Sequence, residues 1–375
     1  MKKSSRIVRR PRRYRRARQL VCHWTHDGFA IANYATGLQT VGSPLTAEVL
    51  DFFGDWHTLD ELCAHLPQLG RPTLAAAVRI LQKCTLLLRS DSARAAERAH
   101  EPWAPWDPAA GFFHFSTKDV PFGRDHERGE REFREHVKTH PMPPAIARRG
   151  GAVTSLPAAD HGGEFRTVVE ARRTWRRFGR GPLDLQSLGT LFDLTFRVKE
   201  WMPVEGQGRV PLKTSPSGGA RHPLEAYVLA RNVRGLARGL YHYRPDRHVL
   251  ERLTKTVTPR QIEDYLPSQY WYRGASALVL ITAVFERSRW RYDYPRGYRA
   301  VLAEAGHFCQ TFLLAATWLG LAPFCSMALA DSRIERDLGI DGVNESVLYA
   351  AGVGRRPPGA SRAQTPSPKR ATIGR

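Results

Sequence analysis

Lys213-Thr214-Ser215-Pro216-Ser217-Gly218-Gly219-Ala220-Arg221-His222-Pro223-Leu224-Glu225-Ala226-Tyr227-Val228 carries the fold of this 375-residue chain. Two glycines behind Ser215-Pro216-Ser217 let the backbone approach a flat ligand closely, and the loop runs straight into an apolar segment that reads as a strand. Taken alone, the same residues suit an ordinary surface turn. The stretch excludes two common nucleotide loops. No Gly-Lys-Ser/Thr follows the glycines, and no G-x-G-x-x-G stands between a strand and a helix.

Two further clusters flank this loop in the chain. On the amino-terminal side stands Arg172-Arg173-Thr174-Trp175-Arg176-Arg177-Phe178, four arginines in six residues beside a hydroxyl. Guanidinium forks in that density suit a phosphate, although a solvated basic face explains them equally well. On the carboxy-terminal side a strand runs into Gly352-Val353-Gly354-Arg355-Arg356. Together the three offer phosphate donors at both ends of one domain and a close-approach loop between them, a set that suits a phosphorylated planar cofactor. The elements in between alternate helices (near 165–175, 184–196, 259–266, 298–320 and 332–339) with strands and one hairpin (near 224–231, 239–253, 276–285 and 346–354), with a Gly/Pro/Ser loop over 203–220 and a short apolar segment at 321–329. Helices segregate from a sheet made partly of hairpins, so the expected class is α+β. Glu304, His307 and Gln310 recur at i, i+3, i+6 on the long helix and read as core or interface polar residues, not as metal ligands. No G-x-S-x-G elbow is present, and no set of metal ligands is expected.

Upstream, Gln19–Trp24 and Phe29–Thr36 flank Asp27-Gly28, a hairpin signal. Three helical patterns follow at 45–54, 59–66 and 71–88; the second opens on a capping box, Thr58 with Glu61 three residues on. A hairpin with three short helices resembles a winged-helix unit. The net charge of +21 is concentrated at the ends: residues 1–18 hold ten Lys/Arg and residues 355–375 hold six, neither with an acid, which leaves about +5 for the rest. Such tails are expected to be solvated and to bind no specific nucleic acid. The expected organisation is a basic disordered tail at 1–18, a winged-helix-like domain at 19–92, an irregular or partly helical linker at 93–163, the main domain at 164–356 and a disordered basic tail at 357–375. The five cysteines lack any C-x-x-C spacing, and no apolar run nears the ~20 residues of a membrane helix. A cytoplasmic protein with reduced thiols, spanning no membrane, is the expectation.

The arginine cluster, the loop at 213–228, GLYHYRPDRHVLERL (239–253), RGYRAVLAEAGHFCQTFLLAATWLGL (296–321) and LYAAGVGRRP (348–357), in this order, resemble the FMN-dependent nitroreductase superfamily. Within it they are similar to the SagB-type dehydrogenases, the azoline oxidases of ribosomal peptide maturation. The resemblance covers about half the chain and implies a nitroreductase-like FMN-binding fold and FMN held at the interface of an intertwined homodimer. It implies that Arg172, Arg173, Thr174 and Arg176 hold the FMN phosphate and ribityl chain. Ser215, Pro216, Ser217, Gly218 and Gly219 would lie against the isoalloxazine, and Gly354 and Arg355 would add a second phosphate contact. Where relatives carry a Gly-rich segment reaching flavin N5, this chain has Pro323-Phe324-Cys325-Ser326-Met327, so the backbone N–H of Ser326 or Met327 takes that place.

The resemblance also bears on catalysis. A Lys-Tyr pair of the family is here Arg291-Tyr292, and arginine keeps its proton. Tyr292 is then the base with Arg291 as its activator, or His222 beside the loop is the base, or the substrate differs. The function implied is an FMN-dependent oxidation, azoline-to-azole or a related two-electron step, of a precursor peptide beside other peptide-modifying enzymes, with the small amino-terminal domain as a possible peptide-binding element. Two alternatives stand: a stand-alone NAD(P)H-dependent nitroreductase, and a degenerate flavin-fold scaffold that binds peptide.

Overall fold

A computed structural model describes residues 11–119, 163–204, 208–253, 264–292 and 294–359, with scattered positions between 128 and 139. The tails at 1–10 and 360–375 and most of the helix expected at 259–266 lie outside the described residues. The chain forms two compact units, one of residues 1–118 with 292–298, the other of 119–291 with 299–375.

In the first unit β1 (Arg13–Arg16) is followed by a meander of β2 (Leu20–Thr25), β3 (Gly28–Asn33) and β4 (Leu38–Val41). The Asp27-Gly28 turn joins β2 to β3 as expected, with Gly28 at φ 121°. Then come α1 (Pro44–Phe52), β5 (His57–Thr58), α2 (Leu59–His65), α3 (Arg71–Lys83) and β6 (Leu87–Arg89). The capping box that opens α2 is formed: Glu61 N donates to Thr58 Oγ1 at 3.2 Å, and Thr58 N donates to Glu61 Oε2 at 2.7 Å. Val49, Phe53, Leu62, Leu74, Val78 and Leu81, one apolar face from each helix, close a common core.

Two expectations are corrected here. Residues 13–16, assigned to a disordered tail, form the middle strand of a β5-β1-β6 sheet. Their arginines are engaged: Arg15 pairs with Glu97 and its Cζ lies 4.6 Å from the Trp56 ring, and Arg16 donates to the Leu50 carbonyl at 3.2 Å. The stretch from 93, expected to be an irregular or partly helical linker, carries α4 (Ala93–His100) and α5 (Ala109–Ser116) and belongs to this unit. Trp103 and Trp106 between them are fully buried, and the Trp103 ring stacks on His114 at 4.7 Å. His114 Nδ1 shares a 2.7 Å hydrogen bond with the Tyr298 hydroxyl, within the short second segment of this unit. Burial of two indoles outweighs the Pro-rich composition that suggested a linker. The unit therefore extends to Lys118, past the boundary expected at 92.

The second unit opens with α6 (Glu164–Ala171), β7 (Leu183–Asp184) and α7 (Leu185–Thr195), the last capped by Asp184, whose carboxylate accepts from Ser187 N at 2.6 Å. The loop expected over 203–220 is half a hairpin, β8 (Glu200–Val204) with β9 (Gly208–Leu212). Next are β10 (Leu224–Ala230), β11 (Val233–Arg234), β12 (Gly239–Arg244), β13 (Val249–Arg252), β14 (Ala277–Val284), α8 (Phe285–Arg289), α9 (Gly297–Trp318, its first two residues counted with the first unit), β15 (Leu321–Ser326), α10 (Asp331–Leu338) and β16 (Glu345–Arg355). β11 pairs with β7 in parallel. The main sheet has the order β13-β12-β10-β14-β16-β15, with every neighbouring pair antiparallel. Every residue of β10 is buried, as is nearly all of β14, which explains why these strands read as apolar runs broken only by Glu225 and Thr282. No helix among the described residues is long and apolar enough to cross a membrane.

Candidate functional site

The arginine cluster and the end of β16 come together, although 180 residues separate them in the chain. α6 ends at Ala171, and the extended segment after it runs beside β15 and β16: Trp175 N donates to the Pro323 carbonyl at 2.9 Å and Gly179 N to the Arg355 carbonyl at 2.8 Å. Gly354 is required here, because a Cβ on it would lie 2.7 Å from Phe178 Cδ1. Arg172, Arg173 and Thr174 are half-buried, whereas Arg176 and Arg355 are exposed. Arg356 is committed elsewhere, donating to the carbonyls of Leu321 at 2.9 Å and Thr317 at 3.0 Å. Among the described residues, no ion pair engages Arg172, Arg173, Arg176 or Arg355. Arginines without ion pairs on this segment and on the adjoining end of β16 suit the phosphate of a mononucleotide.

The Gly-Gly loop stands on different supports. Ser215 is buried and shares a 2.9 Å hydrogen bond with Thr311 on α9, while Thr214 Oγ1 donates to the Leu194 carbonyl of α7. Pro216, Gly218 and Gly219 are exposed, leaving a backbone surface on which a flat ring could lie. Gly219 (φ 59°), Ala220 (φ 52°) and His222 (φ 43°) all adopt the left-handed region, a strain that the loop's anchors hold in place. Ser217 Oγ accepts from His222 N at 2.8 Å.

Beneath the loop lies a group that the sequence did not disclose as part of the site. Glu304 on α9 is 3% exposed and His222 is 4% exposed. Glu304 Oε1 has no hydrogen-bond partner, and neither does His222 Nδ1, 3.8 Å away. The two do not form an ion pair. Burial, reinforced by Lys213, pushes the His222 pKa down to about 3, and burial pushes Glu304 up to about 7. Lys213 Nζ lies 5.6 Å from the Phe308 ring centroid, and burial lowers its pKa to about 8. Neutral imidazole, a carboxyl poised near neutrality and a weakened ammonium thus share one polar pocket under the loop. His307 and Gln310, expected on the same helix face, are exposed.

The remaining expected residues fall as follows. Ser326 is buried at the end of β15, where its Oγ accepts from Gln269 Nε2 at 2.7 Å and from Ala328 N at 3.1 Å; Met327 is 62% exposed. Arg291 is exposed and ends the second unit's segment. Tyr292 belongs to the first unit, half-buried, its carbonyl accepting from Trp106 Nε1 at 3.0 Å.

A model of the nitroreductase family matches residues 169–355. A protein of Methanocaldococcus jannaschii named as a nitroreductase is 33% identical over 189 residues, 50% of this chain and 89% of that protein. The chain belongs to the nitroreductase family, and membership places it among oxidoreductases whose members bind flavin. The trifolitoxin-processing protein TfxB of Rhizobium leguminosarum bv. trifolii is 34% identical over 143 residues, 37% of this chain and 38% of that protein. Among solved structures, the E. coli microcin synthetase McbBCD complex is similar at 22% identity and a TM-score of 0.46, over 59% of this chain and 80% of that chain. A Desulfovibrio desulfuricans nitroreductase in complex with FMN is similar at 15% identity and a TM-score of 0.38, over 55% of this chain and 92% of that chain.

Proposed function

We propose that this protein is an FMN-dependent dehydrogenase that oxidises a residue of a ribosomally made peptide, working as a homodimer beside other peptide-modifying enzymes. The observation that carries the cofactor assignment is the run of the arginine segment beside β15 and the Gly354–Arg355 end of β16, with no ion pair to Arg172, Arg173 or Arg355 among the described residues. The 34% identity to the trifolitoxin-processing protein supports a peptide substrate. Arg172, Arg173, Thr174, Arg176, Gly354 and Arg355 would hold the phosphate and its adjoining chain. Ser215, Pro216, Ser217, Gly218 and Gly219 would carry the ring, with Ser326 or Met327 as backbone donor. Bound there, FMN would supply a two-electron acceptor.

The protein's own share is to position the peptide and accept a proton. His222, with its pKa near 3, is a weak base. Tyr292 is therefore the assigned proton acceptor, with Arg291 beside it in the chain. A stand-alone nitroreductase remains the second reading, favoured by the M. jannaschii relative, which this chain matches over 89% of its length.

Anaerobic bleaching of the flavin tests both. Reduction by the precursor peptide without nicotinamide supports the proposal; reduction by NAD(P)H alone supports the second reading. Tyr292→Phe is expected to slow peptide-driven bleaching about 100-fold with FMN content unchanged, a loss typical of removing a general base. Bleaching at the parental rate in that variant overturns the assignment of the base.

A further inference from the structure

Arg287 on α8 reaches back to the Gly-Gly loop. Its Nη1 donates to the His222 carbonyl at 3.1 Å and lies 2.5 Å from Glu225 Oε1. Glu225 stands three residues past His222, on β10, with its side chain 10% exposed. Its other oxygen, Oε2, meets His242 Nε2 of β12 at 2.7 Å, and that hydrogen bond raises the His242 pKa. His242 Nδ1 in turn faces its register partner Glu251 on β13 across 3.7 Å, and Arg244 donates to that carboxylate at 2.9 Å. Cationic and anionic groups thus alternate from the loop, across β10 and β12, to the sheet edge at β13. Within the loop, the amides of Ala220, Arg221 and His222 are taken up by the Ser217 carbonyl at 3.1 Å, the Gly218 carbonyl at 3.2 Å and Ser217 Oγ at 2.8 Å. These bonds close the turn without attaching it to the sheet. Ser215 and Thr214 anchor the loop ahead of its glycines, and Arg287 holds it behind them, at one of the two non-glycine residues in the left-handed region. None of Arg287, Glu225 and His242 has a part in the function proposed above.

We propose that Arg287 and Glu225 are positioning residues, a clamp that sets the backbone of the Gly-Gly loop for a flat ring before one binds. The proposal rests on the reading of this loop as the support of the flavin ring. A guanidinium shared by a carbonyl and a carboxylate is fixed where the two acceptors converge. Glu225 is fixed as well, because a buried carboxylate held between two cationic partners loses heavily if either leaves. A loop held in its binding conformation gives up less freedom when the ligand arrives, so the clamp acts on affinity without touching the ligand.

The test compares the full chain with Arg287→Met and Glu225→Gln. Hydrogen–deuterium exchange over residues 217–222 reads the loop without flavin, and titration with FMN, followed by flavin fluorescence, reads binding. In Arg287→Met the amides of Ala220, Arg221 and His222 are expected to exchange about tenfold faster and FMN to bind about tenfold more weakly, the effect of losing one charged hydrogen bond. Glu225→Gln should act in the same direction on both, although it removes a negative charge, which by charge alone would tighten an anionic ligand. Should the Gln variant fold poorly, Arg287→Met decides, since its side chain is 42% exposed. Parental exchange or parental FMN affinity in Arg287→Met, or tighter FMN binding in Glu225→Gln, overturns the proposal. A parental chain that takes up no FMN refutes the cofactor reading instead, and the exchange rates in Arg287→Met still decide whether the clamp exists.

Discussion

Glu304 and His222 face each other with their burial acting in opposite senses, so each leaves its own mark on stability against pH. The Glu304 carboxyl holds its proton more tightly when folded, with a pKa of about 7 against 4.5. Its contribution is present below 4.5 and is lost as pH rises through 7. His222 holds its proton less tightly when folded, about 3 against 6.5. Its contribution is present above 6.5 and is lost as pH falls through 3. Between about 4.5 and 6.5 the two slopes cancel, and Lys213 titrates above this window. Glu304→Gln removes one slope only. Urea unfolding of that variant should then show a slope of stability against pH from 4.5 to 6.5 more positive than the parent's by up to about 1.4 kcal/mol per pH unit. Equal slopes in the two proteins would refute the opposed pair. The sequence showed Glu304 as a polar position on an apolar helix and His222 as a neighbour of the loop. It could not show them meeting, because about eighty residues separate them and no periodicity reports a contact that long.

At the scale of elements, β15 and β16 are matched through Gly352, which sits opposite Phe324 in the register. A methyl group on Gly352 would overlap the Phe324 ring. Gly352→Ala should therefore destabilise the second unit by about 1–3 kcal/mol in chemical denaturation. Combining it with Phe324→Leu should cost less than the sum of the single changes by at least about 0.5 kcal/mol. Strict additivity would mean that the two side chains do not share that space. Elements with strong local signals were legible in the sequence: the Asp27-Gly28 hairpin, the Thr58 capping box, the 22-residue helix α9 and the β-branched strand β14. Those whose local signal opposed their tertiary role were not. β1 is built from Arg13-Tyr14-Arg15-Arg16, a composition that signals a solvated tail until Glu97 and Trp56 are brought beside it. β9 reads as loop because it carries a glycine and a proline, and only its pairing with β8 makes it a strand.

For the whole molecule, the phosphate arginines set the expectation for the cofactor. Replacing Arg172 and Arg176 together with Ala should remove charge-assisted bonds of about 1.5–3 kcal/mol each and lower FMN occupancy at least tenfold, read from flavin absorbance per chain. Protein that takes up no FMN in its parental form would favour a scaffold over an enzyme. The Gly-Gly loop is supported by α7 and α9, and the arginine cluster by β15 and β16. A homodimer that joined one chain's loop to the other's arginines would unite them, so light scattering should report a dimer for flavin-loaded protein. A monomer that retains FMN would contradict this.

The order of the sheet sets a timetable for its making. β16 follows both β14 and β15 in the chain, yet it is inserted between them. As the polypeptide leaves the ribosome, β14 and β15 have no common partner until residue 355 has emerged, and each presents an unpaired edge in the meantime. This unit is thus completed only after nearly all of it has been synthesised. A chain stopped ahead of Glu345 should be left with open strands and aggregate, visible as pelleting from a translation reaction that keeps the longer chain in the supernatant.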